Sequence, residues 1–223
     1  MYRQVWSEPT LRWPSFNEKW VKTVVGEHTL NMHPTLTTLR LRLRPWTPQD
    51  LPPFAEMSAD ARVMQFLPKL LTRAESAAMV ARIEEHFEHH GFGLWAVEAP
   101  GVAEFIGFVG LSVPKFEAHF TPCVEVGWRL AYEYWGQGYA TEAATTALDF
   151  AFGQLQLEQV VSFTVPANDR SRRVMERLGM ACSADDDFEH PNLAVGHPLR
   201  RHVLYRLPRS AWRPSGSVSA TKL

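Results

Sequence analysis

Three groups of residues in this chain have the types and the spacing for chemistry. The run Gly136-Gln137-Gly138-Tyr139-Ala140-Thr141 opens a helical pattern, and its two glycines permit backbone angles closed to other residues and carry no Cβ to block a guest. The amides of Gln137, Gly138, Tyr139, Ala140 and Thr141 can therefore converge on one object. First-turn N–H groups have no intrahelical acceptor and the helix dipole adds positive potential, so a phosphate or pyrophosphate is the natural guest. Glu125 is a carboxylate inside an otherwise apolar run. It either faces a wet cleft, where it would serve as a general base directly or through water, or is buried and salt-bridged to Arg129 or another arginine. Asn168 and Ser171 stand three apart at another helix start, where such residues also serve simply to satisfy orphan N–H groups.

The elements that position these groups follow from periodicity. Cys123, Glu125, Gly127 and Arg129 alternate with Val124, Val126, Trp128 and Leu130, which marks a strand with one wholly apolar, core-facing side. Beyond the glycines, Ala140, Ala143, Ala144, Ala147, Leu148, Ala151, Phe152 and Leu155 recur at three- and four-residue steps, the buried stripe of a helix whose small residues allow close approach to a sheet. The β-branched run from Gln159 to Val165 follows directly, so this strand-helix-strand crossover makes a parallel pair. Asp169 to Leu178 is a short helix capped by Asn168 or Asp169, with Val174, Met175 and Leu178 inward and Gly179 as its left-handed stop. Upstream, Leu39-Arg40-Leu41-Arg42-Leu43-Arg44 alternates as a first strand with its arginines on a solvated face, and Pro48 to Met57 is helical. Thr72-Arg73-Ala74-Glu75 has capping-box spacing and opens a helix to about His89. Leu94 to Glu98 and Glu104 to Val113 are an antiparallel pair turning at Pro100-Gly101, and His202 to Leu207 is the last strand. The order is β-α-α-β-β-β-α-β-α-β, with no internal repeat.

The chain has 223 residues and 45% apolar content, enough for one sizeable core and short for two. A net charge of -1 and a sequence pI of about 6.8 advertise neither nucleic acid nor an anionic membrane as partner. The two cysteines, Cys123 and Cys182, have no metal-ligand spacing and suit a reducing cytoplasm. No apolar run approaches the roughly 20 residues of a membrane span. Residues 1–31 carry Trp6, Trp13 and Trp20 seven apart, but Pro9 and Pro14 interrupt any helix there, so this is read as an irregular extension, with Met32 a possible start. Residues 32–207 form the domain, and 208–223 read as a loose tail. A monomer or a homodimer fits equally.

Taken together, the motifs resemble the GNAT N-acetyltransferases, which carry an Arg/Gln-x-x-Gly-x-Gly/Ala pyrophosphate loop after the fourth strand and bind acetyl-coenzyme A. The matching run is Trp135-Gly136-Gln137-Gly138-Tyr139-Ala140. The flanking Glu125-x-Gly127-Trp128-x-Leu130, Gly138-Tyr139-Ala140-Thr141-Glu142-Ala143 and Asn168-x-x-Ser171-x-x-Val174-Met175-x-x-Leu178-Gly179-Met180 resemble the branch that includes the ribosomal-protein N-terminal acetyltransferases. The likeness covers about residues 39–207, and one departure is Trp135, where the family usually has Arg or Gln. Because the loop works through backbone amides, binding is expected to survive that change.

The resemblance implies an α/β (α+β) fold with a mixed, mostly antiparallel central sheet, a parallel pair formed by the fourth and fifth strands, and helices on both faces. It implies direct acetyl transfer from acetyl-CoA to a primary amine, without metal. The fourth strand would splay from the fifth, so that Val126, Gly127 and Trp128 lie beside the pantetheine arm and a backbone N–H near Val126 or Gly127 polarises the acetyl carbonyl. Glu125 would be the base, Ser171 the donor of a proton to the departing thiolate, and Asn168 a pantetheine contact or a helix cap. Arg170, Arg172 and Arg173 would reach coenzyme phosphates.

The connection from Ala184 to Arg201 combines Asp185-Asp186-Asp187-Phe188-Glu189-His190-Pro191 with Gly196-His197-Pro198. Its spacing matches no established metal pattern. A lid that chooses the acceptor is the reading adopted, with its carboxylates attracting a cationic amine and His190, His197 and Tyr205 as substrate contacts. A dinucleotide-dependent oxidoreductase would also place Gly-x-Gly at a helix start, but Thr141 stands where its third small residue belongs, and Glu158 precedes the second strand instead of following it. The rival that survives is a non-catalytic acyl-CoA-binding regulatory module on the same fold. The acceptor stays open among a protein N-terminus, an amino acid, a polyamine and an aminoglycoside-like amine.

Overall fold

The computed structural model describes residues 34–214. The expectations for residues 1–31 and for Met32 lie outside the described residues. In chain order the elements are β1 (Leu36–Thr37), β2 (Arg42–Arg44), α1 (Leu51–Ala59), α2 (Arg73–His90), β3 (Leu94–Ala99), β4 (Ala103–Ser112), β5 (Glu125–Leu130), α3 (Tyr139–Gly153), β6 (Gln159–Thr164), α4 (Asp169–Arg177), β7 (Ala181–Cys182), β8 (Phe188–Glu189) and β9 (Arg201–Pro208). The main sheet runs β1-β2-β3-β4-β5-β6-β9-β7, with β8 added to β9. Every pairing is antiparallel except β5 with β6, which is the parallel pair that the alanine crossover requires.

Helices cover both faces. Phe54 of α1 packs edge-on against Phe108 of β4, whereas Phe150 of α3 meets Trp95 of β3. Trp95 lies opposite Val109 in the ladder, and Val109 and Phe108 are successive residues that project to opposite sides. The buried stripe of α3 is as its periodicity predicts: Ala143, Ala144, Ala147 and Ala151 are fully enclosed, so the helix axis can lie close to the sheet and its first turn is held at a fixed height above β5.

The first expected strand is divided. Leu39 is 97% exposed, and a turn closed by Thr38 N–H to Leu41 C=O at 2.9 Å separates β1 from β2. The reason lies in α3. The Glu142 carboxylate accepts from the Thr38 hydroxyl at 2.5 Å, the Arg40 N–H at 3.0 Å and the Arg40 Nε at 2.7 Å, and no straight strand could deliver all three donors to it. Arg44 is likewise not a solvated residue: its guanidinium grips both oxygens of buried Asp50 at 2.7 and 2.8 Å, and its Nε donates to Glu98 at 3.1 Å. The tail also begins more firmly than composition suggests, since Trp212 donates its indole N–H to Asp149 of α3 at 2.9 Å and packs on Phe152.

Arg44 and Asp50 thus form a pair whose loss strands a charge in the interior. Arg44→Leu is expected to cost about 3 kcal/mol, the scale for breaking a buried ion pair from one side. Arg42→Leu, at an exposed arginine 3.6 Å from Glu98, is expected to cost under about 0.5 kcal/mol. Urea unfolding of the two variants beside the parent checks the contrast.

Candidate active site

The sheet opens where the parallel pair ends. Between β4 and β5 the register holds for six consecutive residue pairs, but β5 and β6 share the single pair Glu125 with Val161 and then part. The phase of the ladder decides which peptide groups the parting exposes. Ala131 N–H bonds Ile106 C=O at 3.0 Å, and alternate residues of an antiparallel strand face the same partner. Glu125, Gly127 and Arg129 therefore turn their backbone groups to β4, and those of Val126, Trp128 and Leu130 point toward β6. Val161 N–H closes the junction on Val124 C=O at 2.9 Å. Beyond it, the first unclaimed N–H facing the gap is that of Trp128. Gly127 is thus excluded as the backbone donor, and Val126 sits at the closed end with its side chain wholly in the core.

This gap widens into a cleft of about 1200 Å³ running from the connection after α1 and from α2 past β5 to the start of α3 and α4. Gly127, Trp128, Gly138, Tyr139, Ala140, Thr141, Asn168 and Ser171 line it together with Glu125. Trp128, which belongs to the apolar strand face by periodicity and to the pantetheine arm by resemblance, is half-buried and forms cleft wall. A shallower groove continues over Gly136, Gln137, Gly138, Thr141 and Arg177.

The glycine loop has the backbone its composition predicts. Gly136 and Gly138 have φ of 77° and 82°, the left-handed region that glycine enters without cost. The first helical bond of α3 is Glu142 N–H to Gly138 C=O at 3.0 Å, so the preceding amides of Tyr139, Ala140 and Thr141 have no acceptor within the helix. Side chains fasten the loop from outside. Arg40 Nη1 donates to Gln137 C=O at 3.1 Å while its guanidinium lies over the Tyr139 ring. Trp135 donates its indole N–H to Leu130 C=O at 2.8 Å, and Arg170 of α4 stacks on its ring at 4.8 Å. Trp135 therefore joins the loop to both cleft walls, a packing role that leaves the amides free. Arg170, Arg173 and Arg177 line the cleft, as spacings of three and four on one helix face demand. Arg172 does not: it turns away to Tyr205 and to Pro166 C=O.

Glu125 has no basic partner among the described residues. Its one hydrogen bond comes from the Ser112 hydroxyl at 3.3 Å. Burial raises its pKa to about 8, opposed only by that hydrogen bond. Gly127 leaves the space beside it open, Glu125 Oε1 lying 3.8 Å from where a Cβ would stand. Across the cleft, Asn168 caps α4: its Oδ1 accepts Ser171 N–H at 3.2 Å and its Nδ2 donates to Thr164 at 3.0 Å. That leaves the Ser171 hydroxyl with no partner among the described residues and in the cleft wall.

The acidic connection borders the cleft, but none of its carboxylates lines it. Asp186 is held by Arg206 at 2.6 Å, Asp187 by Arg201 at 2.9 Å and Glu189 by Arg200 at 2.9 Å, so these carboxylates are spent on tying the segment to β9 and to the residue just before it. His190 does line the cleft, joined by Asn192, Leu193, Leu199 and His202. His197 does not: its Nδ1 accepts Leu199 N–H at 3.1 Å. Tyr205 is 1% exposed, with its hydroxyl donating to Glu176 at 3.1 Å, and belongs to the sheet's support.

Residues 40–181 match the Acetyltransferase (GNAT) domain family. The chain belongs to the GNAT acetyltransferases. It is 32% identical over 201 residues to the FsC-acetyl coenzyme A-N(2)-transacetylase of Aspergillus fumigatus, covering 87% of this chain and 84% of the relative. It is 30% identical over 152 residues to the Bacillus subtilis protein YkkB, covering 68% of this chain and 87% of that one. A GNAT acetyltransferase structure from Bacillus anthracis superposes with a TM-score of 0.65 at 22% identity, over 79% of this chain and 99% of that one. The protein is accordingly an acyltransferase, and GNAT enzymes use acetyl-CoA as co-substrate.

A carboxyl held neutral by burial links stability to pH. Native Glu125 keeps its proton up to about pH 8 whereas the unfolded chain releases it near 4.5, so its contribution is full below about pH 4.5 and is lost as pH rises through 8. Glu125→Gln removes that dependence. Its thermal midpoint relative to the parent is expected to increase from pH 5 to pH 9, and a constant difference would mean that Glu125 ionises normally.

Proposed function

We propose that this GNAT enzyme moves an acetyl group from acetyl-CoA to a primary amine by direct attack, with no covalent enzyme intermediate. The observation that carries the reading is that an unpaired carboxyl, Glu125, and an unbonded hydroxyl, Ser171, open on one cleft whose far end is the free-amide turn of α3. The fit of the coenzyme rests on the same features: amides without acceptors for a diphosphate, three arginines on one face of α4 beside them, and a slot between parted strands for a narrow arm. Bound acetyl-CoA supplies the activated acetyl group.

The chain's residues then have distinct work. The Trp128 N–H, facing the slot, is placed to donate to the acetyl carbonyl oxygen as negative charge develops on it. Glu125 in its ionised form takes the proton from the attacking amine, and a pKa near 8 suits a base meant for an ammonium group near neutrality. Ser171 returns a proton to the thiolate as the carbon–sulfur bond breaks, the new bond joining the amine nitrogen to the acetyl carbon. The Aspergillus relative carries acetyl coenzyme A and N(2) in its name, which supports this donor and a nitrogen acceptor. Cys123 and Cys182 are unpaired and neither lines the cleft, while burial lifts the Cys123 thiol to about 12, so the reading gives no cysteine a covalent role, and a reducing cytoplasm is the compartment we infer.

Thiol release with acetyl-CoA across an amine panel tests the proposal. With a competent acceptor, Glu125→Gln is expected to lower kcat about 100-fold or more with acetyl-CoA affinity retained in calorimetric titration, and the parent's rate to climb toward pH 8. Ser171→Ala is expected to slow turnover without weakening coenzyme uptake. Coenzyme binding without turnover on any amine would favour a regulatory module instead.

Gly138→Ala tests the loop. A side chain at φ of 82° is strained by about 1–2 kcal/mol and would crowd Arg40 at 3.4 Å, so coenzyme affinity is expected to fall about tenfold. Unchanged affinity would remove the turn from the binding site.

A further inference from the structure

On the side of the cleft formed by the connection after α1, α2 and the β3–β4 pair, the wall is largely apolar. Val63, Leu67 and Pro68 from the connection after α1, Met79 of α2, Leu94 of β3 and Phe108 of β4 line it. Two arginines border it: Arg62, which is paired with Asp60, and Arg129, which is not. This residue lies on the same face of β5 as Glu125, four positions on, with Gly127 between them leaving the intervening space open.

Arg129 has no ion pair and no hydrogen bond among the described residues. Its Nη1 is sealed from solvent and unpartnered, its guanidinium rests 5.2 Å from the Phe108 ring, and burial lowers its pKa to about 10, which still leaves it charged at neutral pH. Every other arginine that the fold encloses has been given a carboxylate: Arg44 has Asp50 and Arg206 has Asp186. An enclosed, uncompensated guanidinium is destabilising unless something neutralises it. Its planar fork matches a carboxylate in a two-point contact.

We propose that Arg129 binds a carboxylate of the acceptor itself, so that the acceptor is a free amino acid with an apolar side chain: its amine at Glu125, its carboxylate at Arg129, its side chain against Met79 and Phe108. This rests on the acetyl-transfer reading and narrows it. A protein N-terminus presents an amide where a free amino acid presents its carboxylate, and a polyamine presents a second cation; neither satisfies Arg129. Four strand residues span about 13 Å between Cα atoms, and Glu125 bends toward Gly127, which leaves room for an amine and a carboxylate a few bonds apart.

The test compares an amino acid with its own amide. For phenylalanine or leucine against phenylalaninamide or leucinamide, the ratio of kcat/KM measured by thiol release is expected to exceed about 50 in the parent and to fall to near 1 in Arg129→Gln. A ratio near 1 in the parent, or an unchanged ratio in the variant, overturns the proposal. Binding is followed separately with 3-phenylpropanoate, a carboxylate that has no amine to acetylate. It is expected to raise the thermal midpoint of the parent and not of Arg129→Gln; an equal shift in both counts against the site. Loss of all turnover with that differential shift intact would refute acetyl transfer and leave the carboxylate site standing. Arg129→Met, which relieves the unpaired charge, is expected to melt no lower than the parent, and a large drop would mark the guanidinium as a structural element instead.

Discussion

The site depends on the interruption of one β-ladder. Parallel strands joined by a helix normally pair along their length, and here β5 and β6 pair at one position only. What holds them apart is packing on either side of the gap. β5 is committed to β4 through six paired residues, β6 to β9 through six more, and neither can turn toward the other without breaking its own ladder. The unpaired peptide groups that result would be a liability in a sealed core. In a wet cleft they are donors and acceptors ready for an elongated guest.

Around that gap the fold uses side chains to hold backbone. Glu142 gathers Thr38 and Arg40 onto the first turn of α3, and Arg40 continues to the Gln137 carbonyl, so the turn between β1 and β2 steadies the glycine loop. Asn168 ties α4 to the end of β6. The alanine stripe sets how far α3 stands from the sheet. Each arrangement fixes the position of N–H groups that do not move themselves.

Much of this was legible in the sequence because it rests on local chemistry. The Gly-x-Gly turn, the alanine stripe, the capping box at Thr72 and the β-branched run after α3 each specify their own conformation, and together they specify the parallel crossover and the order of elements. What was not legible depends on partners distant in sequence. Alternation in residues 39–44 reads as one strand because nothing nearby reveals that Glu142, a hundred residues on, bends it. Asp186 and Asp187 read as part of a lid because the arginines that hold them, Arg206 and Arg201, lie on β9, and Tyr205 and His197 read as contacts because their burial and hydrogen bonding are tertiary facts. By sequence Arg129 reads only as a partner for Glu125. The strand period puts both on one side, but four residues of extended chain keep them from meeting.

The stack of Arg170 on Trp135 joins α4 to the residue before the glycine loop, and both side chains line the cleft. A guanidinium on an indole in a solvated setting is worth about 0.5–1 kcal/mol, little more than thermal energy. The two walls are therefore latched rather than bolted: side-chain rotation, on the picosecond to nanosecond scale of exposed residues, is enough to unlatch them. A long, flexible guest therefore meets side chains that can turn, while the floor of the cleft is held by the β4–β5 and β6–β9 ladders.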